Sequence, residues 1–114
     1  MKRGTIVLVP FLFTDLSTTK RRPAVIISKY NPLKEDVVVA FISSNIRPKL
    51  EDTDLFINIS DKDFKKTGLH KSSVIKADKL LTIGKKIISG ELGFLSERLL
   101  SELNEKIKLA LELG

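Results

Sequence analysis

The chain has 114 residues, no cysteine and one histidine, with 42% hydrophobic and 30% charged residues. That composition belongs to soluble globular domains; it excludes disulfides and thiolate metal sites, and it fits one domain over 1–114 in a reducing cytoplasm. Twenty Lys and Arg against fourteen Asp and Glu leave a net charge of +6, which favours an anionic partner such as nucleic acid or an acidic protein segment.

The N-terminus "MKRGTIVLVPF" has a basic start and a short apolar stretch. A signal peptide would continue to a small-residue cleavage site, whereas Phe11, Phe13 and Asp15 follow. The segment therefore reads as a first strand, Thr5 to Val9, with Pro10 marking its end, an edge or a bend. No run approaches the roughly 18 apolar residues of a membrane span. Ala24 to Ser28 reads as a second strand. The continuous apolar run "VVVAFI", Val37 to Ile42, has the β-propensity of a central one. Leu55 to Ile59 is a fourth. "DKDFKKT" then reads as a short helix, capped by Asp61 and stopped by Gly68. Ser73 to Lys76 and Leu80 to Ile83 follow as two strands around a polar turn at Ala77 to Lys79, and Ile87 and Ile88 suggest a last short strand.

Gly90 and Gly93 lie in the expected turn to the final element. From Ser96, a good N-cap, Leu99, Leu103, Ile107 and Leu111 recur at every fourth position, which predicts an amphipathic helix. Glu102 and Lys106 make a favourable i,i+4 pair on another face. Short strands followed by one helix predict a mainly β domain, a small bent sheet or barrel with the helix packed against it.

The connection from Phe13 to Arg22 is longer than a tight hairpin requires, and long connections often carry function. It ends in "TTKRRPAVIIS", three cations running into a proline. Proline restricts Arg22 to extended conformations and fixes the entry to the next strand. A guanidinium held there can make two parallel hydrogen bonds to one phosphate. The same residues also fit a solvated basic turn. Ser43 and Ser44 close the most apolar strand, in "FISSNIRPK", where hydroxyls could meet a phosphate or simply end the strand. His70 reads as a surface residue. With one histidine, a two-histidine ribonuclease mechanism within one chain is excluded. The acids show no metal-ligand spacing, and no phosphate-binding loop or nucleophile elbow is present. No cofactor is expected.

"RGTIVLVPFLFTDLSTTKRRPAVIIS" resembles the N-terminal signature of the PemK/MazF toxins of type II toxin–antitoxin systems. "VVVAFISSNI" resembles the family's third-strand segment, and "LHKSSVIKADKLLTIGKKII" with "LGFLSERLLSELNEKI" its C-terminal half. The resemblance implies an SH3-like barrel with added helices and a homodimer. It implies a metal-independent, sequence-specific endoribonuclease that cuts single-stranded RNA, often mRNA, at short sequences. The ribose 2′-hydroxyl attacks the adjacent phosphate, leaving 2′,3′-cyclic phosphate and 5′-hydroxyl ends. The family's catalytic arginine falls on Arg22 and its Thr/Ser on Ser43. Lys20 and Arg21, with Thr14, Ser44 and Arg47, are then expected to contact RNA. A cognate acidic antitoxin is the implied protein partner. Ser17 stands where many relatives carry an acid, with Asp15 the nearest loop carboxylate. That departure keeps open a non-catalytic binding module on the same fold, such as the gyrase-binding CcdB toxins or a degenerate RNA or protein binder.

Overall fold

The computed structural model describes residues 1–12 and 19–114. Six strands form one antiparallel sheet: β1 (Thr5–Leu12), β2 (Thr19–Ile26), β3 (Asp36–Ser43), β4 (Asp54–Ile57), β5 (Ser73–Gly84) and β6 (Gly90–Phe94). Their order across the sheet is β4-β5-β3-β2-β1-β6. A one-turn helix, α1 (Phe64–Thr67), and a terminal helix, α2 (Glu97–Leu111), complete the described elements. The architecture is a curled, mainly β half-barrel with a C-terminal helix, as the strand-then-helix pattern led us to expect.

The sheet buries apolar side chains on both faces. Ile6, Val25, Ala40, Ile42, Ile57 and Ile75 pack on one face with Leu99 and Leu103 of α2. Val7, Val9, Ala24, Ile26, Val37, Val39 and Ile83 form a second cluster on the other. Successive side chains of a strand point to opposite faces. Two buried faces therefore require an unbroken apolar run, which "VVVAFI" supplies. β3 is central, between β2 and β5.

Several expected boundaries move. β1 continues through Pro10, which pairs with Arg21, because β6 covers β1 only from Thr5 to Leu8. β2 begins at Thr19, so Arg22 lies inside the strand opposite Val9 and not at its start. Pro23 is tolerated because β2 pairs with β3 only from Ala24 onward, so one strand edge is open there. β2 ends at Ile26, short of Ser28, whose hydroxyl accepts the Val38 amide at 3.0 Å.

Residues 73–84 form one strand and not two. The β3–β5 register jumps from Ala40↔Leu80 to Phe41↔Lys76, so the expected turn at Ala77 to Lys79 is a bulge within β5. Residues 85–87 form a 3-10 turn, not a strand, and Gly90 and Gly93 belong to β6, not to a turn. Asp61 does not cap α1. Asp63 holds that position, while the Asp61 carboxylate accepts the Asp63 amide at 2.9 Å. Gly68 does stop α1, at φ 72°.

α2 starts as expected. Ser96 accepts the Leu99 amide at 3.2 Å and donates to Asp63 at 2.8 Å. Glu102 pairs with Arg98 at 3.3 Å rather than with Lys106. Leu99 and Leu103 are buried, but the stripe runs out of partners and Leu111 is exposed.

Gly93 brings β6 against the end of α1 so closely that a Cβ would overlap the Lys66 carbonyl oxygen. The three nearest atoms, the Lys66 carbonyl oxygen and the Thr67 carbonyl carbon and oxygen, are all backbone, so no side-chain rotation relieves the clash. Gly93→Ala should therefore lower the urea midpoint more than Ser96→Ala, whose lost cap is worth about 1 kcal/mol. Equal midpoints for the two variants in equilibrium unfolding would show that the β6–α1 contact yields easily.

Candidate functional site

An open groove of about 580 Å³ crosses one end of the sheet. The strand register builds it. Ala24 pairs with Phe41, so continuing β2 and β3 outward sets Arg22 level with Ser43. Ser43 pairs with Val74, Phe41 with Lys76, and Lys76 with Asp54 of β4. One row of side chains thus runs Arg22, Ser43 and Phe41, Lys76, Asp54 across four strands. Arg47 and Leu50, in the segment after β3, close one wall, and Asp78 and Lys79 of the β5 bulge close another.

Arg22 is half-buried, and its backbone is paired to Val9 on one side. Pro23 restricts it further to extended geometry. The Ser43 hydroxyl accepts the Asn45 amide at 3.1 Å and lies 3.5 Å from the Asn45 carbonyl. Ser43 therefore ends its strand as a turn residue and lines the groove at once. Ser44 is exposed and does not line the groove, so the first of the two serines is the one brought beside Arg22.

The other expected contacts divide. Arg47 lines the groove. Lys20 and Arg21 are exposed and lie outside its lining. Alternation along β2 puts Lys20 on Arg22's face and Arg21 on the opposite one. Thr14, Asp15 and Ser17 lie outside the described residues. His70 is exposed, as expected.

Two groove residues escaped the sequence reading. Lys76 Nζ lies 2.7 Å from Asp54 Oδ1, and their side chains are 18% and 4% exposed. Asp54 Oδ2 accepts the Glu51 amide at 2.9 Å. Burial pushes the Asp54 carboxyl up. The Lys76 contact, the Glu51 amide and the nearby charges of Lys76 and Arg47 outweigh it and hold the group below its ordinary 3.8. The available signal was a lone lysine inside the apolar run "SVIKA", with a lone acid opening "DLFI".

A second hollow, of about 920 Å³, lies at the start of α2. Its charges serve the fold. Arg98 pairs with Asp61 at 2.6 Å and Asp63 at 3.2 Å. The Asp63 amide and the Arg98 guanidinium lower the Asp61 carboxyl, and the Ser96 hydroxyl, Lys66 and Arg98 lower that of Asp63. Among the described residues no group of three His, Cys, Asp or Glu is placed to hold a metal, and no helix is long and apolar enough to cross a membrane.

Comparison with known proteins bears on the first groove. A family model described as "PemK-like, MazF-like toxin of type II toxin-antitoxin system" matches residues 2–111. Among solved structures, an endoribonuclease in complex with its cognate antitoxin from a mycobacterial species matches with TM-score 0.77 and 23% identity, over 100% of this chain and 97% of that one. The Mycobacterium tuberculosis toxin MazF-mt6 matches with TM-score 0.76 and 23% identity, over 96% and 98%. MazE-MazF (Form-II) from Deinococcus radiodurans matches with TM-score 0.77 and 19% identity, over 100% and 97%. At these identities the structural likeness carries the fold alone. A search of curated proteins found no match.

The depressed Asp54 has a defined linkage to pH. Its unfolded carboxyl titrates near 3.8 and its folded one lower. The ionised form thus stabilises the fold above 3.8, and that contribution disappears as pH falls through the folded value. Asp54→Asn should be clearly less stable than wild type at neutral pH, with the gap narrowing in that acid window. A gap in urea midpoint that stays constant down to the lowest pH would mean the carboxyl is not depressed.

Proposed function

We propose, from the premise that this chain belongs to the PemK-like, MazF-like toxins of type II toxin–antitoxin systems, a family of endoribonucleases, that its groove binds and cleaves single-stranded RNA. The observation that supports this most directly is the strand register, which sets the guanidinium-bearing Arg22 level with Ser43 at one groove end.

In the proposed reaction the ribose 2′-oxygen attacks the adjacent phosphorus and the bond to the 5′-oxygen breaks. The products are a 2′,3′-cyclic phosphate and a 5′-hydroxyl. Negative charge grows on the non-bridging oxygens as phosphorus becomes five-coordinate. Arg22, fixed by strand pairing and by Pro23, stabilises that charge more than the ground state through two parallel N–H donors. Ser43 offers a hydroxyl to the same phosphate. Lys20, on Arg22's face, holds a neighbouring phosphate, and Arg21 on the other face adds charge that speeds encounter, consistent with a net charge of +6. In this proposal Arg22 acts as an electrostatic group and not as the proton acceptor.

The proposed protein partner is an acidic antitoxin segment that covers this basic end, and the proposed assembly is a homodimer. The neighbours from the mycobacterial species and from Deinococcus radiodurans include antitoxin-bound forms, which supports the partner.

Purified protein should cleave RNA in EDTA and leave cyclic-phosphate ends. Arg22→Ala should slow cleavage by about a hundredfold or more, the scale of losing one key oxyanion donor. End-mapping of digested RNA reads both. Full activity in the variant would remove Arg22 from the mechanism. Intact RNA after incubation with wild type, together with inhibited gyrase supercoiling, would replace cleavage with a binding role.

A further inference from the structure

The Asp54–Lys76 pair lies on the groove floor but takes no part in the phosphate chemistry assigned to Arg22 and Ser43. An ion pair at 18% and 4% exposure is a weak source of stability, since a well-packed apolar pair would do as well or better. Its placement therefore calls for another reading.

The pair is asymmetric toward the groove. Neither Asp54 oxygen faces the groove's solvent as a free acceptor: Oδ1 is buried in ion-pair contact with Lys76 at 2.7 Å, and Oδ2 accepts the Glu51 amide at 2.9 Å. An ammonium carries three N–H donors and no acceptor. What the pair shows a ligand is thus donors. Its charges cancel, so it offers those donors without the net positive field a phosphate seeks. Around it stand apolar walls from Phe41, Leu50 and Leu80. Flat apolar walls suit the face of a nucleobase, and a donor at the floor suits a carbonyl on its edge.

From this geometry we infer that Lys76, held in place by Asp54, selects the base of the bound RNA, favouring a keto edge (uracil O4 or guanine O6) over the amino edge of cytosine or adenine. Lys76 is then the specificity residue and Asp54 its positioning residue. The inference rests on the RNA-binding reading of the same groove, but not on cleavage.

The test uses nine-residue 2′-O-methyl oligonucleotides of uridine and of cytidine, which share shape and charge and block the attacking hydroxyl. Fluorescence anisotropy measures their binding to the full chain. Wild type should favour the uridine oligomer by about tenfold, the low end for one base-edge contact. Lys76→Met alone leaves Asp54 buried without its partner and endangers folding. The decisive variant is Asp54→Leu with Lys76→Met, which removes both charges. It should bring the two affinities within about twofold while keeping the salt dependence that phosphate contacts set. An unchanged preference in the folded double variant overturns the inference, as does a wild type that binds both oligomers equally. A wild type that binds neither overturns the RNA-binding reading as well. A wild type that prefers uridine yet leaves long mixed-sequence RNA uncut sinks the nuclease reading and leaves base selection standing.

Discussion

The site depends on how unevenly β2 is paired. Along β1 the strand is paired from Thr19 to Val25, but β3 joins only at Ala24. Arg22 and Pro23 therefore sit on a backbone fixed by β1, just beyond the end of the ladder with β3. The fixed side gives Arg22 its direction. The groove begins where the β2–β3 ladder ends. Because side chains alternate with a period of two, a slip of one residue would turn Arg22 out of the row and bring in Arg21 or Pro23. The buried trio Ala24, Val25 and Ile26 prevents it, since each face of the sheet demands its own apolar set.

Two charge clusters show different uses of the same residue types. Arg98 with Asp61, Asp63 and Ser96 sits near the surface and joins the start of α2 to the segment before α1. Such partly exposed pairs are screened, and they fix geometry more than they add stability. Asp54 and Lys76 are mostly out of water and face the groove across β4 and β5. Their electrostatics are less screened, so the same chemistry has greater consequence there.

Much of this was legible in the sequence. The terminal helix was, because Ser96 and the leucine spacing state both a start and a face. β3 was, because a strand buried on both sides must be apolar throughout. Arg22 and Ser43 were legible as candidates by type and by position beside strand ends, but the same residues fit a solvated turn and a strand end, and the family resemblance made the choice. What was hidden depends on pairing between distant strands. Pro10 and Pro23 look like strand ends unless one knows which edge is open. Ala77 to Lys79 look like a turn unless the jump against β3 is known. Lys76 and Asp54 read as solitary charges because the register that joins them, across more than twenty residues of chain, is a tertiary fact.

The bulge in β5 separates two tasks that a regular strand would force together. Residues 74–76 and 80–84 keep the ladder with β3, and the surplus residues between them put Asp78 and Lys79 on the groove wall without breaking it. Substitution at those two positions can change what the wall recognises while the ladder on either side keeps its hydrogen bonds. A lineage carrying this sheet could thus diversify its targets through a few outward side chains and inherit the scaffold unaltered.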